Sequence, residues 1–148
     1  MDAEVYTDPS VAGFITENFI PARAHVKSEQ DVFARFNAQW TPTILVLDER
    51  GTEQHRIEGF LPAPDFLAQV RLGLAHAARA RSDWATAQQH YGELAKQNDD
   101  VAAEATYWNG VSKYRATNDP SALGATAEAL RSRFPQSAWT KKSSIWAA

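Results

Sequence analysis

Apolar and polar positions along this chain change their period near residue 75. Before that point helical and strand spacings alternate. Pro9 to Phe19 reads as a helix that carries Val11, Phe14 and Ile15 inward, and Phe19 to Val26 reads as a short strand. Asp31 to Phe36 reads as a short helix with Val32, Phe33 and Phe36 on one side. The apolar run Thr43-Ile44-Leu45-Val46-Leu47 then stops at Asp48-Glu49-Arg50-Gly51, and Glu53 to Glu58 follows as a second extended segment, the pattern of a β-hairpin. Pro42 has no backbone N–H to give to a ladder, so it belongs at the very start of its strand, and Thr41 before it is pushed toward extended backbone. Gly59-Phe60 ends the hairpin. Pro62 and Pro64 open a helix from about Asp65, with Phe66, Leu67, Val70, Leu72 and Leu74 as its apolar positions. The predicted order is helix, strand, helix, strand, strand, helix.

From about Ala75 onward the strand signals vanish and the chain becomes alanine-rich. Ser82-Asp83, Asn98-Asp99-Asp100, Asn118-Asp119-Pro120 and Pro135-Gln136-Ser137 are turn and N-cap material. Between them lie helical blocks at roughly 65–81, 83–97, 101–117 and 120–133, and a fifth begins near Ser137. Gly73 and Gly110 occupy matching places in successive blocks, and Trp84 to Leu94 corresponds to Ser121 to Leu130, at a spacing of about 36 residues. This half resembles tetratricopeptide-like helical hairpins, with Gly73 and Gly110 allowing close helix approach and Pro135 ending the second hairpin. Trp139 and Trp146, seven apart, share a face and either cap the repeat core or form an edge for a partner.

Trp40-Thr41-Pro42 heading the hairpin, Gly59-Phe60 ending it, and the run DAEVYTDPSVAGFITENFIPARAHV resemble the thioredoxin-like family from the end of its first active-site helix onward. The resemblance covers roughly residues 2 to 75. It implies an α/β fold: a truncated thioredoxin-like sheet with flanking helices, incomplete over residues 1–80, followed by an all-α tetratricopeptide-like extension over residues 65–148 that shares the helix 65–81. It also implies that Pro42 is the family's cis-proline and that Thr41 offers its backbone to an extended peptide. Trp40, Thr41, Pro42, Gly59 and Phe60 are then the peptide-binding set. Trp40 has two physical readings, flank of that groove or cover for the base of the sheet, and Phe60 has the same two.

The chain departs from the family at two points. It has no cysteine, and the strand that precedes the redox motif in the family is absent. That strand lies between the ones corresponding to residues 20–26 and 43–47, so two apolar edges are left to be paired. Either these strands pair directly, a second copy contributes, or upstream sequence supplies the strand. A twofold homodimer is the expected solution.

Composition narrows the function classes. The chain has 148 residues, a formal net charge of −3 and a pI near 5.8, which gives no case for a nucleic-acid partner. It has no run of about 20 apolar residues for a membrane span, and the acidic start Met1-Asp2-Ala3-Glu4 is not a signal peptide, so the expected place of the chain as it stands is the cytoplasm. Zero cysteines exclude thiol catalysis and thiolate metal sites in this chain. His25, His55, His76 and His90 are isolated in sequence and read as ordinary surface residues; no metal or cofactor is expected, and no catalytic set. The resulting expectation is a redox-inactive module that binds a protein or peptide. The alternative is the downstream part of a thiol-disulfide oxidoreductase or isomerase whose Cys-x-x-Cys lies just before Met1.

Overall fold

Helix α1, Pro9–Asn18, starts where Asp8 accepts the amides of Ser10 and Val11 and where Pro9 supplies a pre-set φ without a wasted donor. This is a computed structural model, and it describes residues 4–147. Helix α2 is Gln30–Arg35. Strands β1, Thr43–Leu47, and β2, Glu53–Glu58, form a two-stranded sheet. Asp48 closes the turn between them: its carboxylate accepts the amides of Arg50 and Thr52 and the side-chain amide of Gln54. Gly51, at φ +76°, takes the left-handed conformation that the turn needs.

Helices α3, Ala63–Ala80, α4, Trp84–Ala95, α5, Asp100–Thr117, α6, Ser121–Arg133, and α7, Ala138–Ser143, follow, with a single 3₁₀ turn over Ser144–Trp146. The breakers read in the sequence are their caps. Asp83 accepts the Thr86 amide, Asp99 that of Ala102 and Ser137 that of Trp139, while Asn118 ends α5 in the left-handed conformation at φ +56°.

Two compact units share the chain, divided across the hairpin and across α3: residues 1–45 with 56–67, and residues 46–55 with 68–148. The core of the first contains Val5, Val11, Ile57 and Phe66, with Tyr6 edge-on to Phe66. The core of the second gathers Leu72, Ala75 and Ala78 of α3, Ala87, Tyr91 and Leu94 of α4, and Ala105 of α5. Alanines dominate it because the helices approach closely. At the α5–α6 crossing a Cβ on Gly110 would overlap the side chain of Thr126.

Two sequence expectations are corrected here. Phe19 to Val26 is not a strand: Phe19 is extended, but among the described residues the sheet holds β1 and β2 alone, and Ile20 is fully exposed. An extended segment becomes a strand only by sharing a ladder, and Pro21 in its middle lacks a donor. Gly73 does admit a close approach, but to the hairpin and not to a helix. A Cβ there would meet Val46 at 2.5 Å and His55 at 3.3 Å.

Candidate functional site

The first candidate lies at the open end of the hairpin, in the first unit. Trp40 and Thr41 lead into Pro42, and the Thr41-Pro42 peptide bond is cis. The Gly59 amide donates to the Pro42 carbonyl at 2.9 Å, so the segment entering β1 is held to the segment leaving β2. Thr43 Oγ1 donates back to the Trp40 carbonyl at 2.6 Å and fixes the turn around the proline. Gly59 sits at φ +88°, where any other residue would be strained. Arg56 of β2 donates to the carbonyl oxygens of Phe36 and Asn37, at 2.5 and 3.5 Å, and so anchors the end of α2 next to the same loop.

Five sequence-picked residues thus fall on two loops joined by one hydrogen bond. Trp40 is 65% exposed and Phe60 52% exposed, so neither ring is core filler. Large aromatic surface is costly to leave in water, about 25 cal/mol per Å².

The second candidate was not legible as a cluster. His76, read from sequence as a surface histidine, is buried at 8% exposure in the second unit. Tyr91 Oη donates to His76 Nδ1 at 2.6 Å, and His76 Nε2 donates to Glu104 Oε1 at 3.2 Å. Arg79 Nε reaches the same tyrosine oxygen at 3.3 Å, with its guanidinium carbon 3.9 Å above the Trp108 ring. His55 of β2 lies 5.5 Å from His76, ring to ring, and donates from Nε2 to Gln69 Oε1 at 2.8 Å. The Glu104 carboxylate can only accept, so Nε2 of His76 carries a proton, and in the neutral ring Nδ1 is then the acceptor for Tyr91, whose oxygen also accepts from Arg79. Arg79 gives to Tyr91, Tyr91 gives to His76, and His76 gives to Glu104.

Burial pushes the Tyr91 phenol far above its ordinary range, so it stays a neutral donor. Burial likewise pulls the His55 imidazole down, and the neighbouring His76 adds to that, against the Gln69 hydrogen bond and the Glu104 charge. The signal that could have revealed this cluster is helical spacing: His76 shares the inward face with Leu72 and Arg79, at intervals of four and three. Among the described residues no group of three or more histidine, cysteine, aspartate or glutamate side chains could hold a metal ion. No helix among them is long and apolar enough to cross a membrane.

Trp139 and Trp146 pack on Tyr107 of α5, at ring separations of 5.2 and 4.6 Å, and cap the helical core as the first of their two readings has it. Ile145 between them is exposed.

A family model described as a thioredoxin-like domain matches residues 1–73. No curated protein and no solved structure matches the chain.

Proposed function

We propose, from the thioredoxin-like domain that the first half of the chain carries, that this protein is a redox-inactive binding module for an extended peptide or protein segment. The observation that carries the reading is the pairing of exposed Trp40 and Phe60 on two loops clamped by the Gly59–Pro42 hydrogen bond. Thr41, Pro42 and Gly59 supply backbone of fixed shape, and the two rings supply apolar contact on either side. Thiol exchange requires a thiolate, and this chain has no cysteine to provide one. The helices of the second half, read as tetratricopeptide-like hairpins, serve as the scaffold.

The test is binding of an immobilised library of extended, cysteine-free peptides by the wild type and by the double variant Trp40→Ala/Phe60→Ala. A subset of peptides that loses at least tenfold in affinity with the double variant supports the reading; equal binding by both proteins, or none by either, removes it.

A further inference from the structure

Four of the five tryptophans have a ring face occupied from within the chain. The Arg79 guanidinium carbon lies 3.9 Å from the centre of the Trp108 ring, that of Arg115 lies 5.3 Å from Trp84, and Lys142 Nζ lies 4.0 Å from Trp139. Trp146 stacks on Tyr107 at 4.6 Å. Trp40 is the exception. Among the described residues neither a cation nor another ring lies against it, and it is 65% exposed where the other four are half-buried. Indole offers a cation the best face of any side chain, and this one is turned to solvent.

The charge of the surrounding unit is of the opposite sign to such a ligand. Residues 1–45 with 56–67 carry eight acidic side chains against four basic ones, a formal −4, while the rest of the chain carries +1. Two of those bases, next to the proline loop, are turned to the protein itself: Arg56 donates to the carbonyl oxygens of Phe36 and Asn37, and Arg35 lies 5.0 Å from the centre of the Phe36 ring. Glu58, two residues before Phe60, meets Arg56 through one contact at 3.5 Å with its side chain 49% exposed. A carboxylate has about four acceptor sites, so that single contact leaves Glu58 open to a further cation. Asp65, in the first turn of α3, is exposed as well.

We propose that the ligand of the proline loop is a cationic segment, an extended peptide bearing arginine or lysine, with one of its charged side chains laid on the face of Trp40. The inference rests on the peptide reading of this loop and adds the chemistry of the ligand. Backbone at Thr41, Pro42 and Gly59 fixes the shape that the peptide meets, the indole reads its cation, and the acidic unit around them draws it in. A guanidinium can stack flat on the ring, and an ammonium can approach it as a point charge. An acidic peptide would meet the same surface with like charge and would bring the ring no cation.

The test starts from the library peptides whose binding falls in Trp40→Ala/Phe60→Ala. Each is made again with glutamine, and separately with glutamate, in place of every arginine and lysine, and its affinity is measured by fluorescence anisotropy at low salt. The expected hits are rich in basic residues. Their glutamine versions bind the wild type about fivefold or more weakly, and their glutamate versions more weakly still. Trp40→Leu keeps an apolar side chain at an exposed position and removes the ring, so it folds as the wild type does and loses most of the preference for the basic peptide. Hits without basic residues, or equal binding of the basic and glutamine versions, overturn the cation and leave the peptide reading standing. An undiminished preference in Trp40→Leu takes the cation off this ring and overturns its role. An absence of hits removes the peptide reading and this inference with it.

Discussion

Gly110 of α5 and Thr126 of α6 lie so close that a Cβ on the glycine would overlap the threonine hydroxyl. The threonine cannot swing clear without loss: its side chain is buried, and its hydroxyl donates to the Ala122 carbonyl of its own helix at 2.7 Å. Gly110→Ala is therefore expected to destabilise the helical half by about 1–3 kcal/mol, the usual penalty for overpacking. Gly92, inside α4, has nothing within 4 Å of the same hypothetical atom. Gly92→Ala is expected to stabilise by about 0.4–1 kcal/mol through helix propensity. Urea unfolding of the two variants, side by side, checks the opposite signs.

Tyr91 couples the half-buried Arg79 to the buried His76, accepting from the first and donating to the second. Tyr91→Phe keeps the ring in the core and removes only the oxygen. It leaves His76 Nδ1 without its donor and Arg79 Nε without this acceptor. The expected cost is about 1–3 kcal/mol, from stranded polar atoms and not from lost packing. Differential scanning calorimetry would show a lowered Tm, and Trp108 fluorescence would change with it, since the Arg79 guanidinium rests on that ring. A Tm equal to that of the wild type would mean the hydrogen-bond chain contributes nothing.

The helical half was readable in the sequence almost residue by residue, because helix ends are local events. Asp83, Asp99 and Ser137 cap the helices they precede, and each announces its helix without help from distant residues. The hairpin was equally legible, since the turn around Asp48 is built from its own neighbours. Phe19 to Val26 was misread because a strand is a property of two segments, and apolar residues alone supply no ladder. The histidine cluster escaped for the same reason. His55, His76, Tyr91 and Glu104 come from four elements, and only tertiary packing brings them together. The proline loop was found through its resemblance to a family. The exposure of Trp40 and Phe60, on which its proposed role depends, required the structure.

Stability should fall in two steps as the pH drops, and the signs follow from the shifts. Burial lowers the affinity of His55 for a proton, and burial together with Arg71 and Arg81 does the same for His90, whose Nδ1 is buried without a partner. Above about pH 6.5 these imidazoles are neutral whether the chain is folded or not, and their full contribution is present. Below it the unfolded chain takes up the protons first, so stability declines. Asp8, Asp48, Asp83 and Asp119 are held below the ordinary carboxylate range by hydrogen bonds to nearby groups, as Glu93 is by Lys96. Their contribution is present at neutral pH and is lost below about pH 4. Calorimetric Tm values between pH 8 and 3 should trace a plateau, a first decline below about 6.5 and a second below about 4. His90→Gln should shrink the first decline and leave the second in place.

The outer edge of β1 has no ladder partner among the described residues, and Leu47 at its end is exposed. Edge strands left bare recruit another strand, and a second copy of the chain is always available at the same concentration. The expected outcome is a twofold dimer, seen by light scattering as twice the 16.4 kDa of the chain. Dissociation should appear on dilution, because a short edge contact is a small interface. Leu47→Lys places a charge on that edge and is expected to weaken the dimer about tenfold or more while leaving the Tm of the monomer within a few degrees, since the residue is outside the core. A mass of one chain at every concentration would overturn the dimer, and equal dimerisation by the lysine variant would move the interface away from β1.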